Sequence, residues 1–133
     1  MIQWRAWDAD KVRGTWNRIL PLVRTALAHG NGEYEELHIL IALEEQKMQI
    51  WTMHDDSKLV GIVVTEILIY PAKRVCYVVL IAGVKFRQWL TFLPDLEQWA
   101  REKECKDIRA LGRFGFKRLL PWPAKQVLFV KEL

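Results

Sequence analysis

Residues 58–105 read KLVGIVVTEILIYPAKRVCYVVLIAGVKFRQWLTFLPDLEQWAREKEC, and the fold is decided in this stretch. Residues 59–70 and 74–81 are almost continuously apolar and rich in β-branched side chains. Such runs predict strands covered on both faces. Pro71, Ala72 and Lys73 alone separate them, so the two strands are expected to be antiparallel neighbours. A loop follows, Ala82-Gly83-Val84-Lys85-Phe86. Beyond it Trp89, Phe92, Leu93, Leu96, Trp99 and Ala100 recur at i, i+3, i+4, i+7, i+10 and i+11, which predicts an amphipathic helix within residues 87–105. Pro94 lies inside that helix and predicts a kink or a restart there.

Upstream, residues 2–6 make a short candidate strand. Asp8 suits an N-cap, with Asp10 in the first turn of a helix whose apolar face is Val12, Trp16, Ile19, Leu20, Val23 and Leu27. Pro21 predicts that this helix kinks or divides near Asn17, and His29-Gly30-Asn31-Gly32 ends it. A second helix is expected over residues 33–46, with a stripe of Tyr34, Leu37, Leu40 and Ile41. Residues 48–54 read as a strand in a hairpin with residues 59–70. Downstream, residues 107–111 read as a strand parallel to residues 74–81, reached by a right-handed crossover. Then come a turn at residues 112–115, one helical turn at 116–120, a stop at Pro121-Trp122-Pro123 and a terminal strand at 126–131.

The chain has 133 residues, 51% hydrophobic and 27% charged, which fits one globular domain over residues 1–133. Its seven tryptophans are spread along the sequence and are expected mainly in packing, with Trp4, Trp7 and Trp122 as candidates for subunit contacts. A net charge of +4 and a pI near 9.2 permit a nucleic-acid partner without demanding one. Cys76 and Cys105 fit no metal or redox spacing and read as buried thiols in a reducing compartment. His29, His38 and His54 have no metal-ligand spacing and read as surface or capping residues, so no metal is expected. The N-terminus lacks the pattern of a signal peptide, and no apolar run reaches the ~18 residues of a membrane span, so no membrane is expected.

Several segments together resemble the GNAT superfamily of N-acetyltransferases, and the nearer likeness is to short GNAT-like proteins of tailed bacteriophages. They are Val64-Thr65-Glu66-Ile67, Tyr70-Pro71-Ala72-Lys73-Arg74, Leu96-Glu97-Gln98-Trp99-Ala100 with Cys105, the run from Gly112 through Leu120, and Lys131-Glu132-Leu133. The resemblance implies an α/β fold: a mixed, mostly antiparallel central sheet of six to seven strands, with helices on both faces. It also implies a splay between the fourth and fifth strands.

In active members of that superfamily, the loop after the fourth strand carries an Arg/Gln-x-x-Gly-x-Gly/Ala pattern that receives the diphosphate of acetyl-CoA. Glycines there let backbone N–H groups converge on the anion at a helix N-terminus. The resemblance places the cofactor at Leu80, Ile81, Gly83, Val84, Lys85, Arg87 and Gln88. Here the loop has a single, early glycine, and Phe86 stands where a small residue is wanted.

Glu66 is the candidate general base, in an apolar strand where desolvation raises a carboxyl pKa. Its alternative role is an ion pair with Lys73 or Arg74. For the acid, the superfamily commonly uses a tyrosine near the C-terminal helix; this chain has Phe114, Phe116 and Trp122 in that region and no tyrosine after Tyr77. Arg109, Arg113, Lys117 and Arg118, interleaved with aromatic residues, suit contact with a nucleic acid or an acidic partner.

On these grounds the expectation is a non-enzymatic particle-assembly or virion protein without a cofactor. It would reside in a host cytoplasm or within the virion, and partner other phage structural proteins or itself. The alternatives are an acetyl-CoA-dependent N-acetyltransferase and a nucleic-acid-binding module.

Overall fold

The computed structural model describes residues 2–30, 32–111 and 122–133, without the side chains of Ile2 and Phe86. The elements run β1 (Ile2–Ala6), α1 (Ala9–Leu27), α2 (Glu36–Glu44), β2 (Met48–Asp55), β3 (Lys58–Ile69), β4 (Arg74–Ala82), α3 (Phe86–Glu102) and β5 (Cys105–Ala110). The five strands form one sheet in chain order. Each neighbouring pair is antiparallel except β4 and β5, which run parallel around the α3 crossover.

Both faces of the sheet are covered. On one, Val12, Ile19 and Val23 of α1 and Ile39 and Leu43 of α2 pack on Ile50, Ile62, Val64 and Leu80. On the other, Trp89, Phe92, Leu93, Leu96 and Ala100 of α3 pack on Trp51, Val63, Cys76 and Val78. Phe92 is the centre of that second core, fully buried and in ring contact with Trp4, Trp51 and Trp89. Trp122 closes it through an edge contact with Trp89, so Trp4 and Trp122 are packing residues. Two-sided cover explains why β3 and β4 are apolar at nearly every position.

Five expectations are corrected. The buried residues of α2 are Ile39 and Leu43, whereas Leu37 and Ile41 of the expected stripe are exposed. Of the kink or division expected at each proline, the division does not occur: α1 runs through Pro21 and α3 through Pro94. Both prolines are exposed, and the carbonyls they leave without a donor belong to Asn17 and Leu90, themselves exposed, where water can satisfy them. The sheet has five strands among the described residues, not six or seven. The terminal strand expected at 126–131 is not formed; residues 123–133 have no regular structure and are exposed. His54 is buried in β2 rather than on the surface, with Nε2 2.8 Å from Thr52 Oγ1, and burial and then Arg5 and Arg18 hold it below the usual histidine range. By contrast His38 does cap α2, its Nδ1 accepting the Glu35 N–H at 3.0 Å.

Candidate active site

The site begins with an irregularity in β4. Val64 pairs with Leu80 and Thr65 pairs with Val78, so Val79 is an extra residue on β4, a β-bulge. Side chains register the same step. Val79 and Leu80, adjacent in sequence, both pack toward α1 and α2, and Ile81 then packs toward α3. In a regular strand, neighbours alternate faces.

Just there β4 and β5 part. Their last pair is Val78 with Ala110. Beyond it β4 continues through Val79, Leu80, Ile81 and Ala82, still paired to β3 on its other side as far as Ala82 with Ile62. Among the described residues, the backbone edge of this stretch on the β5 side has no ladder partner. It presents peptide N–H and C=O groups that need hydrogen bonds from elsewhere. The predicted residues Leu80 and Ile81 lie in it.

The edge leads into the loop and the start of α3. Gly83 has φ +73, and a Cβ there would sit 2.2 Å from the Val60 carbonyl oxygen. Its work is therefore to fold the loop tightly over β3, which only glycine allows. Lys85 is the N-cap of α3; the first turn holds no acidic residue, and Lys85 and Arg87 are exposed. Gln88 Oε1 accepts the Lys85 N–H at 2.9 Å, which fixes the entry of the helix. Two cations at the positive end of a helix repel its dipole, and an anion bound there relieves that repulsion. Gly83, Val84, Lys85, Arg87 and Gln88 are thus contiguous with the open edge. The side chain of Phe86 lies outside the described residues.

Glu66 stands on β3 opposite Tyr77 of β4. By strand alternation it shares the α1 and α2 face with Ile62 and Val64. It is half-buried, and burial pushes its carboxyl above the usual range. Burial also raises Tyr34, from the connection between α1 and α2, with Glu66 and then Glu33 adding to the effect. Tyr77 is raised by burial first, then by Glu33, Tyr34, Tyr70 and Glu66. A carboxylate and two phenols therefore sit within electrostatic reach of one another, one residue before the strands part. Neither predicted ion pair of Glu66 is formed: Lys73 Nζ is 2.7 Å from Asp107 Oδ2, and Arg74 donates to the Lys103 carbonyl at 3.4 Å. The two tyrosines were missed by the sequence reading, which sought an acid only downstream; the signal for Tyr77 was its place across from Glu66.

Of the basic segment, Arg109 alone lies among the described residues. Arg109 Nε binds Asp107 Oδ1 at 2.8 Å, and its guanidinium lies 5.7 Å over the Tyr70 ring. Arg113, Lys117 and Arg118 lie outside the described residues. Burial pushes the Cys76 thiol up to about 12 and raises Cys105 as well, so neither is an activated nucleophile. Among the described residues no cluster could hold a metal ion, and no helix is long and apolar enough to cross a membrane.

No protein-family model matches the sequence, and neither does any curated protein. Solved structures do match in fold. An aminoglycoside acetyltransferase from an uncultured soil metagenomic sample, in complex with sisomicin, superposes with a TM-score of 0.72 at 12% identity, over 99% of this chain and 95% of that one. A predicted acetyltransferase with acetyl-CoA from Clostridium acetobutylicum matches at TM-score 0.67 and 11% identity, over 98% and 96% of the two chains. A GNAT family acetyltransferase from Staphylococcus aureus matches at 0.65 and 13%, over 99% and 98%. The chain therefore has a GNAT-like α/β fold, with the bulged fourth strand and the parting of β4 from β5 at its centre.

Proposed function

We propose that the chain is an acetyl-CoA-dependent N-acetyltransferase. The observation that carries this reading is the open β4 edge from Val79 to Ala82, which runs from the bulge straight to the cationic start of α3. Acetyl-CoA supplies an acyl group activated as a thioester. Leu80 and Ile81 would hold it by backbone hydrogen bonds and stabilise negative charge on the acyl oxygen. Gly83, Val84, Lys85, Arg87 and Gln88 would bind its diphosphate through helix N–H groups and two cations. Glu66 is the base that takes the proton of the acceptor amine, its raised pKa suiting it to hold that proton. Tyr77 and Tyr34 are protonated at neutral pH and are the groups able to return a proton to a departing thiolate.

The non-enzymatic reading rested on a loop with one glycine and with Phe86 in place of a small residue, on the lack of a downstream tyrosine, and on the likeness to phage proteins. Its first ground weakens because the open edge and the helix start would bind the cofactor through backbone groups and cations, which need no further glycine. Its second weakens because Tyr34 and Tyr77 share the environment of Glu66. The test is release of free coenzyme A thiol when the chain is mixed with acetyl-CoA and a panel of primary amines. Amine-dependent release supports the reading; thiol release no faster than in buffer, across the panel, rejects it.

A further inference from the structure

The open edge of β4 carries opposite charge at its two ends. At the far end Lys85 and Arg87 flank the start of α3, with no acidic residue in its first turn. At the near end stand Glu66 and Tyr77, and the connection between α1 and α2 brings Glu33 and Tyr34 to them. Tyr34 packs on the same core as Val79 of the bulge, which seats this connection over the face of the sheet that carries Glu66. Glu33, the residue before it, is exposed, and its charge acts on both phenols, so its carboxylate stands at the rim of the cluster. Its acidic neighbours are engaged locally: Glu36 is bound by Arg24 at 2.6 Å, and Glu35 closes the capping box of α2 with His38. The transfer reaction uses Glu66 and the phenols and leaves Glu33 without a part.

We infer that Glu33 selects the acceptor, an amine with a second ammonium group such as a diamine or oligoamine, by pairing with the ammonium that does not react. The inference rests on the transferase reading for the reaction, and on the cluster itself for recognition. The attacking nitrogen reacts as the neutral amine. It bonds to the acyl carbon, the carbon–sulfur bond breaks, and the proton it loses passes by way of Glu66 and a tyrosine to the sulfur, which leaves as free thiol. The second ammonium keeps its charge throughout and needs a counter-charge outside the reacting centre, which Glu33 supplies. The faces of the two phenols add an attraction for the same cation. In a chain of net charge +4, this anionic end of the edge is what draws a cation to one place. An amine that also carries a carboxylate meets repulsion from Glu33 and Glu66, which sets the selection against it.

Steady-state release of coenzyme A thiol from acetyl-CoA, with putrescine and with n-butylamine as acceptors, tests it on the full chain. The kcat/KM for putrescine is expected to exceed that for butylamine by about four- to tenfold at low ionic strength, the statistical advantage of two equivalent nitrogens included, with the rest of the difference in KM and shrinking as salt is added. Glu33→Gln is expected to reduce the ratio to the statistical advantage, Glu33→Asp to keep part of the excess and Glu33→Lys to reverse it. A wild-type ratio no greater than the statistical one, or a greater ratio that Glu33→Lys leaves in place, overturns the inference and leaves the transferase standing. Absence of release with every amine rejects the transferase, and amide chemical shifts then decide recognition. Spermidine titrated onto the chain is expected to shift Glu33, Tyr34 and Tyr77, and to shift them less in Glu33→Lys. Shifts absent from these residues, or equal in the two proteins, overturn the inference.

Discussion

Glu66 and Tyr77 face each other directly across the β3–β4 pair, one residue short of the point where β4 leaves β5. This places a desolvated carboxyl beside the open edge. Glu66→Gln is expected to lower acetyl transfer by about 10²–10⁴-fold, the usual contribution of a general base. Transfer by the wild type should fall with pH on a limb set above the ordinary glutamate value of about 4.3. Steady-state rates between pH 5 and 9 check both.

The same raised pKa makes a stability prediction of opposite sign. Folding holds the Glu66 proton more tightly than the unfolded chain does. The stability linked to it is therefore greatest below the unfolded pKa and declines as pH rises through the folded one. At neutral pH Glu66→Gln should be at least as stable as the wild type, and thermal melts at pH 7 should show no loss. A marked fall in Tm would mean that the carboxylate is paired and structural.

Gly83 tests the loop. Gly83→Ala puts a methyl 2.2 Å from the Val60 carbonyl oxygen at φ +73, so the loop or β3 must shift. The expected cost is about 1–3 kcal/mol, with a Tm lower by several degrees. Acetyl-CoA binding should weaken with it, because the start of α3 moves. Melts with and without acetyl-CoA measure the two effects.

Phe92 tests the second core. It is fully buried between Trp4, Trp51 and Trp89, and Phe92→Ala should cost about 3–5 kcal/mol, a large share of the stability of a domain this size. Urea unfolding followed by tryptophan fluorescence reads this cost.

Much of the fold was legible in sequence because its signals are local. Continuous apolar runs gave β3 and β4, a three-residue link made them antiparallel, and the spacing from Trp89 to Ala100 gave α3. What escaped depends on tertiary setting. Pro21 and Pro94 are tolerated because each faces solvent, which periodicity alone did not weigh. The bulge at Val79 is silent in a strand that is apolar on both faces, since a slip of one residue changes no residue type. Residues 126–131 have strand propensity, but propensity alone does not pair a segment with a sheet. Glu66 was legible as a charge among β-branched neighbours, whereas Tyr34 reaches it only through the packing of the α1–α2 connection.

The central claim is that the open β4 edge and the start of α3 receive acetyl-CoA. Isothermal titration of the wild type and of a Lys85→Glu, Arg87→Glu double variant with acetyl-CoA tests it most directly. The account predicts saturable binding in the micromolar range, weakened about tenfold or more by the double variant. Absence of binding by the wild type at millimolar acetyl-CoA, or equal binding by both proteins, would contradict it.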